Sequence, residues 1–125
     1  MTSDELINEI LSSFSGYGFD IKHSNHLANQ AYINVHAKKL IFNPLTVTPY
    51  ALMHEFVHYT AHHEHRQFAN DIRNMDEHEA NKLATGQLWD MWIASGGTDE
   101  YISNFINATG VPDYQVGRLL HMIHI

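Results

Sequence analysis

The sequence predicts a single α+β domain over residues 1–125, a small antiparallel sheet packed with about five helices. Three observations carry that prediction. Apolar residues recur at helical spacing near both ends and through the middle of the chain. Two β-rich runs stand between residues 31 and 43. Glycine, proline and asparagine fall where these elements should stop and start. With 125 residues and 44% hydrophobic content, the chain can bury one core and is too short for two comfortable ones.

The elements follow in order. Leu6, Ile7, Ile10, Leu11 and Phe14 form an i, i+3/i+4, i+7 stripe behind a Ser3 or Asp4 cap, predicting an amphipathic helix from Asp4 to Phe14, broken by Ser15-Gly16-Tyr17-Gly18. Phe19 to Lys22 alternates weakly and reads as a short strand. Ala31–Val35 and Lys39–Asn43 read as an antiparallel hairpin around His36-Ala37-Lys38, closed by Asn43-Pro44. Thr48-Pro49 is a helix start, because proline at the first helical position loses only an N–H that would be unsatisfied anyway. That helix should run to about His63, apolar around most of its circumference. Phe68, Ile72 and Met75 suggest a short docked helix. A second long helix is expected from Asp76 to about Ala94, with a core face of Ala80, Leu83, Ala84, Leu88, Met91 and Trp92; Trp89 is also read as core. Ser95-Gly96-Gly97 ends it. Thr98 caps a helix through Asn107, Gly110 stops that one, and Pro112 opens the last.

Composition narrows the function. Seven basic against fourteen acidic residues give a formal charge of −7, which argues against nucleic acid as a direct ligand. No cysteine is present, excluding disulfides and thiolate metal sites. No apolar run approaches the ~20 residues a bilayer span requires, and the acidic N-terminus leads into no signal stretch, so a cytoplasmic location is expected. Histidine is the anomaly: eleven copies, more than lysine and arginine together. Neutral imidazole is the commonest metal ligand, so the positions of these residues matter.

His54-Glu55-Phe56-Val57-His58 is an H-E-x-x-H motif inside the predicted long helix. Four residues advance a helix by about 400°, so His54 and His58 project from nearly one face, one turn apart, and can share a Zn²⁺ ion. Glu55, rotated about 100° from His54, is placed as general base toward water rather than as a ligand. Eleven histidines and seven glutamates scattered at random would give about 0.05 such motifs in this length.

Catalytic zinc takes three protein ligands and keeps one position open. No further histidine follows His58 at metzincin spacing. Glu77 follows after eighteen intervening residues, enough for a loop and an antiparallel return, and shares a helix face with Asn81, Ala84 and Leu88 that continues into the core. Glu77 is therefore the expected third ligand, pointing inward, with Glu79 next and Asp76 behind it. Asn81, one turn on, is placed to bond a free imidazole nitrogen and fix its tautomer, or else makes an ordinary polar contact.

A hairpin ending Ile-Phe-Asn-Pro, a helix with H-E-x-x-H, and then E-x-x-A-N-x-L-A (residues 77–84) together resemble the ImmA/IrrE-type zinc metallopeptidases, over about residues 30–90. The resemblance implies a zincin-like fold, Glu77 as third zinc ligand, and cleavage of DNA-binding repressors or regulators of mobile elements or stress responses. The chain departs from the family in Val57 where glycine is frequent and Leu83 where phenylalanine is usual. Residues 1–125 are not expected to include the helix-turn-helix segment fused to some relatives, so a regulatory effect is expected to pass through another protein.

The expected activity is therefore zinc-dependent endopeptidase hydrolysis of a protein substrate. The contrasting reading is a zinc-containing module that sequesters a regulator without cutting it; Glu55 speaks against that, because binding alone needs no general base. The sheet edge near residues 38–43 is expected to receive substrate by strand addition. His62, His63 and His65 read as a solvated helix end, His78 as exposed or at the cleft mouth, and His23, His26 and His36 as surface. The donor to a developing oxyanion is unassigned among Tyr101, Tyr114, His121 and His124.

Overall fold

The computed structural model describes residues 2–62, 70–96 and 102–123. Its elements are α1 (Ser3–Gly16), β1 (Asp20–His23), β2 (Ala31–Asn34), β3 (Lys39–Phe42), α2 (Pro49–His62), α3 (Asn70–Ala94), α4 (Ile102–Thr109) and α5 (Asp113–Ile123). The chain is mixed α+β, with five helices and one three-stranded sheet among the described residues.

Helix α1 is capped by Thr2, one residue before Ser3, the earlier of the two expected caps. Thr2 and Glu5 form a reciprocal capping box, with Glu5 N donating to Thr2 Oγ1 at 3.2 Å and Thr2 N to Glu5 Oε1 at 3.3 Å. The predicted stripe is the buried face: Leu6, Ile10 and Phe14 are fully enclosed.

The sheet corrects one expectation. It is mixed rather than antiparallel, in the order β1-β3-β2. The β2–β3 hairpin is antiparallel as predicted, with Ala31 opposite Phe42 and Asn34 opposite Lys39, but β1 pairs parallel to β3, with Asp20 beside Lys39 and His23 beside Phe42. The cause is the connection over residues 24–30. It carries the chain across the Phe42 end of β3, so that β1 and β2 run in opposite senses and β3 returns between them. Buried Asn43 fixes that crossing. Its Nδ2 donates to the carbonyls of Leu27 (3.0 Å) and Asn25 (3.4 Å), its Oδ1 accepts from Leu45 N, and its own N–H donates to Gln30 O. Because β3 is central, residues 39–42 have no free edge, and strand addition there is ruled out. The edges belong to β1 and β2.

Helix α2 begins as Thr48-Pro49 predicts: Ala51 N donates to Thr48 Oγ1 at 3.1 Å, and Pro49 is fully buried. Its cap is also a packing point. Gly110, at φ +76°, ends α4 so close to Thr48 that a Cβ would stand 2.9 Å from Thr48 Cβ. Glycine is needed there for both conformation and space.

Helix α3 is longer than expected. It runs unbroken from Asn70, so the polar stretch before Asp76 is helical and Glu77 lies two turns inside the helix. The expected separate helix around Phe68 lies in part outside the described residues, as do Thr98, Gly97 and His63. Ala80, Ala84 and Leu88 are fully buried. Trp89 and Trp92, both core as expected, meet Phe105 of α4 edge-on, with centroids 5.1 and 5.9 Å apart. Gly86, mid-helix, costs about 1 kcal/mol of helix propensity relative to alanine, and a Cβ there would meet nothing within 4 Å among the described residues. Among the described residues no helix is long and apolar enough to cross a membrane.

Candidate metal centre

Helix α2 packs along α3, which brings the two predicted segments together. His54 and His58 project from one face of α2, with ring centroids 4.7 Å apart. Glu77 reaches both from α3: its Oε2 lies 3.2 Å from His54 Nε2 and its Oε1 lies 3.0 Å from His58 Nε2. One nitrogen from each imidazole and a carboxylate oxygen stand within 4.8 Å of one another, close enough to hold a metal ion; among the described residues no other such group of His, Asp and Glu occurs.

The distances fit an ion. His54 Nε2 is buried, and its nearest charged neighbour is the Glu77 carboxylate at 3.2 Å. Two ligand atoms about 2.05 Å from a tetrahedral ion stand about 3.3 Å apart, near the separations observed. Burial grades across the site: the His58 side chain is 8% exposed, that of His54 21% and that of Glu77 49%. Glu77 thus sits at the open rim rather than pointing into the core, and the expectation of an inward side chain is corrected. The face it shares with Ala84 and Leu88 becomes buried only beyond Ala80, as the helix passes under its neighbours.

Burial is the largest influence on His54 and lowers its pKa below 6.5. The neighbouring His58 lowers it further, against an opposing pull from Glu77. The imidazole is neutral at pH 7, the form that binds metal.

Glu55 follows His54 on α2, is partly buried, and stands outside the group of potential ligands. Asn81 occupies the predicted place one turn beyond Glu77, but its hydrogen bond goes elsewhere. Asn81 Oδ1 accepts from the Tyr50 hydroxyl at 2.9 Å, not from an imidazole. Tyr50 in turn lies parallel to the His54 ring, at an interplanar angle of 4° with centroids 6.2 Å apart. Asn81 therefore reaches His54 through Tyr50. Burial, with Tyr114 and Glu77 nearby, raises the Tyr50 pKa to about 12, so its hydroxyl stays a donor.

Tyr50 is the site residue that sequence reasoning missed. The clue was present, since Tyr50, His54 and His58 recur at i, i+4, i+8. Of the candidate oxyanion donors, Tyr114 lies near Tyr50 and is well exposed. Tyr101, His124 and the side chain of His121 lie outside the described residues, as do His65 and the side chains of His62 and Asp76. Glu79 and His78 are exposed, and His23, His26 and His36 are at the surface as expected.

No protein-family model, curated protein or solved structure matches the chain, so the functional reading rests on the site itself.

Proposed function

We propose that the chain is a zinc-dependent endopeptidase, with His54, His58 and Glu77 as metal ligands and Glu55 as general base. The observation that carries this reading is the convergence of both H-E-x-x-H imidazoles and a carboxylate from a second helix on one point. Two nitrogens and one carboxylate, with a side left open, make the donor set of catalytic rather than structural zinc. Zn²⁺ bound there supplies Lewis acidity, polarising a carbonyl and lowering the pKa of water.

The chain's own residues supply the rest. Glu55 accepts a proton from the attacking water and passes it to the departing amine nitrogen. The half-exposed Glu77 leaves one side of the centre accessible to substrate. Tyr50, held protonated, packs flat on His54 and ties α2 to α3 through Asn81, which fixes the imidazole plane. The substrate class proposed, from the motif's likeness to the ImmA/IrrE-type peptidases, is a DNA-binding repressor in the cytoplasm. A formal charge of −7 suits a basic partner of that kind.

The test is metal analysis of the purified chain, followed by incubation with repressors encoded beside it. One zinc per chain is expected, with cleavage by the wild type. Glu55→Gln should keep fold and zinc but lose roughly 10²–10⁴-fold in hydrolysis, the usual share of a general base. Full activity in Glu55→Gln, or in a metal-free preparation, overturns the proposal. Stable association without cleavage establishes the sequestering module instead.

A further inference from the structure

The two helix faces that meet at the metal centre continue for one more turn. On α2 the row of His58 and His54 is extended by Tyr50, and on α3 the row from Glu77 is extended by Asn81. The two added side chains meet, the Tyr50 hydroxyl donating to Asn81 Oδ1 at 2.9 Å. One turn further along α3 the row closes: Thr85 is 3% exposed, and its hydroxyl is turned back onto Asn81 O. Asn81, half-buried, is therefore the last polar side chain of this row that solvent reaches, beside Glu77 at the rim. Holding two helices together accounts for only half of its amide. Tyr50 occupies Oδ1, whereas Nδ2 has no acceptor among the described residues and is open to solvent. A carboxylate would take the Tyr50 proton equally well, so the tie does not call for an amide; the two N–H groups are what asparagine adds. Asparagine is also a poor residue for a helix interior.

We infer that Asn81 is a substrate-binding residue, whose Nδ2, oriented by Tyr50, donates to the backbone carbonyl two residues from the scissile bond of an extended substrate; the inference rests on the peptidase reading above. The chemistry of the group selects its ligand. Nδ2 offers donors only, so it takes an acceptor, and the acceptor that every peptide repeats is the backbone carbonyl. In an extended chain, groups two residues apart point the same way and stand about 6.6–6.8 Å apart. Asn81 lies one turn of α3, a rise of about 5.4 Å, beyond Glu77, so the two spacings agree to within about 1.5 Å. With one carbonyl at the metal centre, the next on the same side of the chain therefore reaches Asn81. A main-chain contact of this kind sets the register of the substrate without reading its side chains. The site accordingly recognises an extended segment rather than a particular residue at that position.

The zinc-loaded full-length chain is titrated with three hydroxamates. Acetohydroxamate reaches only the metal. Acetyl-dialanine hydroxamate carries a carbonyl two residues before the chelating one, and the hydroxamate of succinyl-alanine amide carries one two residues after it. Asn81→Asp keeps an acceptor for Tyr50 and removes both N–H groups. Its affinity for one of the longer probes should fall about fivefold further than its affinity for acetohydroxamate, the share of one hydrogen bond. The probe that loses more tells which side of the scissile bond Asn81 holds. If Asn81→Asp misfolds, the same contact is read in the ¹⁵N-labelled wild type, where the Asn81 side-chain amide should shift with that longer probe and not with acetohydroxamate. Equal losses for all three probes, or an Asn81 amide that neither longer probe moves beyond acetohydroxamate, overturn the inference. Failure of the peptidase reading looks different. The wild type then takes up no zinc or binds none of the probes, which removes both proposals, whereas failure of this inference alone leaves acetohydroxamate binding and hydrolysis intact.

Discussion

Replacing Glu77 with alanine tests the centre most directly, because it removes one ligand and leaves the H-E-x-x-H helix untouched. Structural zinc sites bind with roughly 10–16 kcal/mol at pH 7, which apportions about 2.5–4 kcal/mol to each of four ligands. Glu77 is 49% exposed, so water can take the vacated position and recover part of that loss. The expected weakening is therefore near the lower end, about 10²-fold in zinc Kd or about 2.7 kcal/mol. Glu79 provides the control. It lies two residues on, about 200° around the helix from Glu77, and cannot turn its carboxylate to the same point. Glu79→Ala should stay within about threefold of the wild type. Competition against a chromophoric chelator at pH 7 measures both variants. The metal-free fold should change little, because a carboxylate this exposed contributes at most about 1 kcal/mol through its imidazole contacts. If Glu77→Ala binds zinc like the wild type, or Glu79→Ala shows the larger loss, the ligand assignment is wrong.

Three further outcomes are expected. Tyr50→Phe keeps the stack on His54 and removes the 2.9 Å bond to Asn81, so it should lower stability by about 1 kcal/mol in urea denaturation; an unchanged midpoint would show that bond to be inert. His54 has its folded pKa below 6.5, so the unfolded chain takes up the proton more readily. Stability of the metal-free protein should accordingly be full above about pH 6.5 and fall as pH drops below it, with a shallower slope in His54→Gln. Equal slopes in the two proteins would contradict this. Gly110→Ala places a methyl 2.9 Å from Thr48 Cβ at φ +76°, and should destabilise by about 1–3 kcal/mol, read as a lowered thermal midpoint.

Much of the site was legible because it is local. The His54–His58 spacing, the Thr48-Pro49 start and the α1 stripe each depend on geometry within one helix, which 3.6 residues per turn dictates. The mixed sheet was less legible. Local alternation identifies a strand but not its partner or direction, and here Asn43, through contacts with residues 25, 27 and 30, decides how the chain crosses.

By itself, then, the sequence determined a helix bearing two imidazoles one turn apart, a glutamate set to follow from another helix, and the hairpin between α1 and that helix. The tertiary structure alone decided that Glu77 meets both imidazoles from an exposed rim and that Tyr50 rather than an imidazole takes Asn81. The physical reason is the same in each case. Periodicity gives a residue's angle about its own helix axis, whereas a site between helices depends on where the second axis lies, and that is set by the packing of the whole core.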